Sequence, residues 1–94
     1  MEIFKNRNGQ DRAINRIDFQ TLRVTSENSP YRTSTDNKGN ITMFDFAGGP
    51  VYTVGGRIFF ERMSYKINSI SILSSDQPLN EIVLKVSPQY SNPI

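Results

Sequence analysis

The 94-residue chain is long enough for one domain and no more, with a net stability on the order of 5–15 kcal/mol. It holds no histidine, cysteine or tryptophan; this excludes disulfides, thiolate metal sites and thiol nucleophiles, and leaves any acid–base chemistry to carboxylates, lysines and tyrosines. Eleven basic and nine acidic residues give a net charge of +2, interspersed as on an ordinary solvated surface rather than massed as in a dedicated nucleic-acid binder.

The first residues, Met1-Glu2-Ile3-Phe4-Lys5, lack the apolar run of a signal peptide, and no segment approaches the ~20 apolar residues needed to cross a bilayer. The expectation is therefore a product of the cytosol, or of a particle assembled there, without a membrane partner. Residues 1–13 carry the turn signal Asn8-Gly9 but little alternation, and read as an extended arm or weak hairpin. Ile3 and Phe4 are its apolar pair, suited to docking on this domain or on a neighbour. Lys5, Arg7, Arg12 and Arg16 give this end a mild basic bias.

Between Ile17 and Val24 the apolar residues fall at Ile17, Phe19, Leu22 and Val24. That is a period-two pattern with one phase slip at Gln20-Thr21. The spacing recurs at Tyr65, Ile67, Ile70 and Ile72, with the slip at Asn68-Ser69. A β-bulge produces such a slip, so both stretches are predicted to be strands bent in the middle, as in a sheet that curls. Ser26 to Pro30 reads as a loop. Tyr31–Thr35 and Asn40–Phe46 read as a hairpin round Asp36-Asn37-Lys38-Gly39, whose second strand is apolar on both faces and is therefore central or lies under an arm.

Val51–Val54 and Arg57–Phe60 are predicted to pair across a Gly55-Gly56 turn. Tyr52 then lies opposite Phe59, on a face that the core does not need and that is either covered by the N-terminal arm or left as a docking patch. Glu61 to Ser64 turn the chain again, and 74–80 make an irregular loop. The last strand alternates, with Ile82, Leu84 and Val86 facing in and Glu81, Val83, Lys85 and Ser87 facing out, and Pro88 ends it.

Reactive groups are scarce. Asp45, between Phe44 and Phe46, is the one acid in a strongly apolar setting. Burial would fit it for general-acid work, but the simpler expectation is that it faces solvent or caps the strand's end. No second carboxylate is spaced to pair with it. Asp36 to Asn40 lacks the ligand alternation of a calcium loop, and neither Gly48-Gly49 nor Gly55-Gly56 has the lysine or helix of a phosphate loop. No catalytic residue, metal, cofactor or small-molecule substrate is expected. The string Arg57-Ile58-Phe59-Phe60-Glu61-Arg62, with Tyr52 and Lys66, has the residue types of a base-stacking basic groove, although Glu61 interrupts its charge.

From Gly56 to Val86 the chain runs through Arg57-Ile58, two aromatics, a tight turn, Tyr65-x-Ile67-x-x-Ile70, an irregular loop and an alternating strand. This order resembles the C-terminal half of the head–tail joining (adaptor or stopper) proteins of tailed bacteriophages. Those proteins carry an arginine–isoleucine–x–aromatic run, then tyrosine–x–isoleucine–x–x–isoleucine, in a small β-barrel. Met63-Ser64 stand where the family has a glycine before the tyrosine, and the N-terminal half lacks a tryptophan-bearing strand. The resemblance implies a structural, non-enzymatic virion protein of the head–tail connector, neck or tail, found in the virion or host cytoplasm and working in a homo-oligomeric ring.

The expected fold is all-β: a small curled sheet or barrel, SH3-like or OB-like, of about six to seven short strands. Residues 1–13 are its N-terminal arm, 14–88 the domain and 89–94 a C-terminal tail. The expected protein interface, toward copies of the chain and neighbouring assembly proteins, comprises Ile3, Phe4, Tyr52, Phe59, Tyr90 and Ile94. The alternatives are a single-stranded nucleic-acid binder using Arg57, Phe59, Arg62 and Lys66, and a small inhibitor or regulator of a host protein.

Overall fold

Period-two alternation of β-branched and aromatic residues marks 21–27, 57–60, 63–74 and 79–89 as strands. The computed structural model describes residues 2–5, 11–27, 29–47, 49–74 and 79–89. Its strands are β1 (Glu2–Lys5), β2 (Asp11–Asp18), β3 (Thr21–Glu27), β4 (Tyr31–Thr35), β5 (Ile41–Phe46), β6 (Val51–Thr53), β7 (Arg57–Phe60), β8 (Met63–Ser74) and β9 (Leu79–Gln89). They form one antiparallel sheet in the order β1-β2-β3-β9-β8-β5-β4, with β6 on β5 and β7 on β8. The all-β expectation holds in its open-sheet form: β1 and β4 end the sheet and do not meet, so no barrel closes.

Among the described residues there are nine strands, against about six to seven expected. One of the additional strands comes from the segment 17–24, which is a hairpin rather than one bent strand. Asp18 pairs with Thr21 across Phe19-Gln20, and the Asp18 carboxylate accepts the Gln20 N–H at 2.7 Å. The register shift sits between Arg16 and Asp18, and the hairpin leaves Ile17 and Phe19 exposed. The second slip is a bulge as predicted, between Ile67 and Ser69 of β8. Another strand is β1, which pairs Ile3 with Ala13 and Phe4 with Arg12. The expected boundary at 13/14 therefore falls inside β2.

The hairpin over 51–60 differs most from expectation. β6 pairs with β5, placing Tyr52 beside Phe44, and β7 pairs with β8. β5 and β8 pair with each other only at Ile41 and Ile70, then diverge, and β6 and β7 line the two arms of the fork. The turn is one residue earlier than predicted. Gly56 N–H donates to Thr53 O, making Val54 and Gly55 the central residues, and Gly55 takes φ +90°, a conformation that suits glycine. The apex is held on both arms: Val54 N–H donates to Thr42 O, Gly55 N–H to Ile67 O, and Ile67 N–H to Gly56 O. Tyr52 consequently turns into the core while Phe59 points out, so the two do not share a face.

The core gathers Ile14, Leu22, Val24, Phe44, Phe46, Tyr52, Ile58, Phe60, Tyr65, Ile67, Ile70, Ile82, Leu84 and Val86. Phe44 stacks on Tyr31 with centroids 5.2 Å apart and meets Phe46 edge-on at 4.9 Å, arrangements the ring quadrupole favours. Ile82, Leu84 and Val86 face in as read from the sequence. β9, however, runs past Pro88, which pairs with Tyr65. Val86 N–H points toward the β3 side, where it donates to Gln20 O. Pro88, two residues on, faces the same way but beyond the last β3–β9 pair, Thr21 with Lys85, so its missing donor costs no ladder bond. At the other end of β9, fully buried Asn80 donates from Nδ2 to Ser29 O at 2.6 Å and pins the β3–β4 connection.

Candidate functional site: a basic outer sheet face with one exposed ring

With its inner face filled by the core, the sheet presents its other face to solvent. Alternation fixes which side chains stand there. Arg57 of β7 pairs with Lys66 of β8, which pairs with Ser87 of β9; Phe59 pairs with Ser64, and Ser64 with Gln89. The next row along β9 is Ser69, Lys85 and Thr21, and the one after is Ser71, Val83, Arg23 and Asn15. Same-face residues on a strand lie roughly 7 Å apart, so each of three successive rows carries a cation. Arg57, Lys66 and Lys85 are exposed, and Arg23 is half-buried. Arg62 stands in the turn just beyond Phe59.

Phe59 is 71% exposed, the most exposed of the large apolar side chains among the described residues. Its own row holds Ser64 and Gln89, and the later rows carry small or neutral side chains between the cations: Ser87, Ser69, Ser71 and Asn68, whose Nδ2 donates to Ser87 Oγ at 2.6 Å. Among the described residues the ion pairs are Arg16 with Glu61 and Arg32 with Asp45; Arg57, Lys66 and Arg23 form none, while Lys85 shares its row, through Thr21, with Asp18 and helps to hold that carboxyl low. Two like charges directly across a ladder repel, and Arg57 and Lys66 stand in that relation. Arg23 Nε is buried without a hydrogen-bond partner. The acids on this face are at its margins. Glu81 lies opposite Thr25, and Asp18 is held below the usual carboxylate range chiefly by the Gln20 N–H, then by the Thr21 hydroxyl.

Glu61, which interrupted the basic string in the sequence, is drawn away by Arg16. Arg16 Nη2 meets Glu61 Oε1 at 2.8 Å, its Nη1 donates to the Tyr65 hydroxyl at 3.0 Å, and its guanidinium lies 5.9 Å from the Phe60 ring centroid. This one arginine of β2 fixes the β7–β8 turn, in which Glu61 and Arg62 both take positive φ, 51° and 67°. Such a two-residue turn with both centres left-handed fits the twist of a hairpin but favours Asn-Gly, so Glu-Arg is strained there.

Asp45 does not face solvent as expected. It lies between Arg32 of β4 and Val51 of β6, its side chain 8% exposed, and Oδ2 accepts a 2.8 Å bond from Arg32 Nη2. The pairing raises the already high pKa of the guanidinium, first through the hydrogen bond and then through the charge. Oδ1 has no hydrogen-bond partner. One carboxylate tied to an arginine has no acid–base partner to work with. A groove of about 580 Å³ opens where β5 and β8 part, lined by Asn40, Thr42, Asn68, Ser69 and Ser71 over Ile41 and Ile70. Its acid, Asp36, is engaged by the N–H groups of Lys38 and Asn40 at 2.8 and 2.9 Å.

The residues of the sequence-predicted nucleic-acid set, Arg57, Phe59, Arg62 and Lys66, thus come together on one hairpin, whereas those of the predicted protein interface do not. Tyr52 is in the core and Phe59 outside; Ile3 and Phe4 lie on the edge strand β1; Tyr90 and Ile94 fall outside the described residues. Arg23 was not singled out in the sequence. Its place between inward Leu22 and Val24 gave its face, but nothing local gave its neighbours. The chain matches no protein-family model, no curated protein and no solved structure.

Proposed function

We propose that this chain is a non-enzymatic structural protein that assembles with copies of itself into a ring, as a component of a virion head–tail connector, neck or tail. The observation that carries the reading is the sheet's two open edges, β1 at one end and β4 at the other. β4 is solvent-exposed after Tyr31 and holds no proline or bulky guard, only Arg32. Monomeric proteins blunt such edges, because unpaired N–H and C=O groups recruit further strands. Two edges on opposite ends of one sheet suit a head-to-tail contact, which closes into a ring when the rotation between subunits allows. The virion assignment rests on the resemblance over Gly56 to Val86, and on a chain whose polar residues suit assembly better than chemistry.

Light scattering tests this directly: the purified protein should be a discrete oligomer, and a monomer at all concentrations would overturn the reading. Pro30 O accepts the Ala47 N–H on the β5 side; by alternation Thr33 points its N–H away from β5, to the open edge. Thr33→Pro removes that donor while sparing the β4–β5 ladder. It should dissociate the oligomer with the circular-dichroism spectrum unchanged.

A further inference from the structure

We infer that the outer face of the sheet is a binding site for single-stranded nucleic acid, with phosphates tracking Arg57 and Lys66, then Lys85, then Arg23, and a base stacking on Phe59. The inference is independent of ring assembly, which uses the sheet edges and not this face. Four observations converge on it. Cations that lie far apart in the sequence are brought into three successive rows of one face, and among the described residues none of them forms an ion pair, Lys85 alone having an acid, Asp18, in its row. Arg57 and Lys66 stand opposite each other, a repulsion that an anion laid across them relieves. Arg23 keeps a buried Nε donor without a partner. Phe59 exposes its ring beside the first of these rows.

The geometry favours a flexible single strand over a duplex or an acidic peptide. Rows roughly 7 Å apart form a shallow track with short serine, threonine and asparagine side chains between the charges, and no ridge or helix enters a duplex groove. An acidic peptide would use the cations but has no need of an uncovered ring. A base has a π-face whatever its identity, so one stacking platform plus a line of cations gives binding with little sequence preference.

The test is fluorescence anisotropy of the full-length protein with a labelled oligothymidylate, titrated between about 50 and 200 mM salt. Binding should weaken with salt at a log–log slope of about −2 to −3, from roughly −0.7 per phosphate contact on single strands. Lys85→Gln should make the slope shallower by about 0.7, and Arg57→Gln with Lys66→Gln by about twice that. Phe59→Ala should weaken binding about fivefold or more at unchanged slope, the loss of one stacked base. Lys38→Gln, in the β4–β5 turn and off this face, should change little, and all variants are exposed enough to keep the wild-type thermal midpoint. Three results would overturn the inference: no binding at the lowest salt, equal losses from Lys38→Gln and Lys85→Gln, or a labelled polyglutamate that binds as tightly as the oligonucleotide and ignores Phe59→Ala. The last would mark an acidic-protein docking face.

Discussion

At the scale of single residues, the structure assigns its few charged groups to holding turns and strand pairs. Arg16 joins the β2–β3 end of the sheet to the β7–β8 turn through Glu61, Tyr65 and Phe60. Both partners of its ion pair are part-exposed, so its worth is that of a screened pair plus one hydrogen bond. Arg16→Ala should cost about 1–2 kcal/mol in urea denaturation, and Glu61→Gln should recover less than half of that loss as its own effect. Asp36 and Asp18 set an acid limit. Both carboxyls are held below their ordinary value of 3.8 by backbone N–H groups, of Asn40 and Gln20 respectively. A folded carboxyl that gives up its proton more readily than the unfolded one stabilises the fold fully above the unfolded value. That contribution is lost as pH falls through the folded value. The urea midpoint should therefore hold from neutral pH to about 5 and fall below about 4, and Asp36→Asn should show a smaller fall. Little of this was legible in the sequence. Asp36 was read as a turn residue because its neighbours are turn formers, but Asp45 owes its role to the register that sets Arg32 across the β4–β5 hairpin, and Arg16 to Tyr65, 49 positions on.

At the scale of elements, the lesson lies in two identical spacings with different outcomes. Tyr65-Ile67-Ile70-Ile72 and Ile17-Phe19-Leu22-Val24 each show one slip. The first is a bulge, because β8 has β9 alongside to keep it extended through the irregularity. The second is a turn, because Asp18 caps Gln20 and the chain folds back on itself. A phase slip records that one residue fails to alternate, and not whether the strand continues. The Gly55-Gly56 hairpin was misread for a related reason: local pairing rules assume that the two strands pair with each other, and here each has a neighbour with more surface to offer. The β7–β8 turn gives a prediction at this scale. Arg62 sits at φ 67°, where a side chain costs on the order of 1 kcal/mol relative to glycine. Arg62→Gly should raise the thermal midpoint by a few degrees, and calorimetry would register it. Gly56→Ala should do the reverse, since its Cβ would lie 2.6 Å from Thr53 Oγ1.

For the whole molecule, the inward positions of β9 and the all-β class were readable from alternation, but the strand order was not. Most pairings join consecutive strands, as at β2–β3, β4–β5 and β8–β9, yet the centre of the sheet depends on two that do not, β3 with β9 and β5 with β8. That order decides which cations share a face, so the basic stripe was invisible in a sequence whose charges look evenly mixed. It also ranks protection. Amide exchange should be slowest in Ile82 to Lys85, flanked by β3 and β8 and carrying fully buried Ile82 and Leu84. It should be fastest in β4, where Tyr31 and Thr33 lack outer partners. Equal rates in the two strands would contradict the sheet order.

The place of β9 has one more consequence, for biosynthesis. Of the described strands β9 is synthesised after all the others, yet it is the one that separates and joins β3 and β8, and Asn80 on it bonds to Ser29, 51 positions earlier. Until translation reaches this segment, β3 and β8 have no common neighbour, and the nascent polypeptide holds hairpins without a shared interior. Folding of the centre is then paced by long-range closure, in the slow range of ms to s for such topologies. The outer hairpins can form first, and the middle of the sheet closes only after β9 has been made.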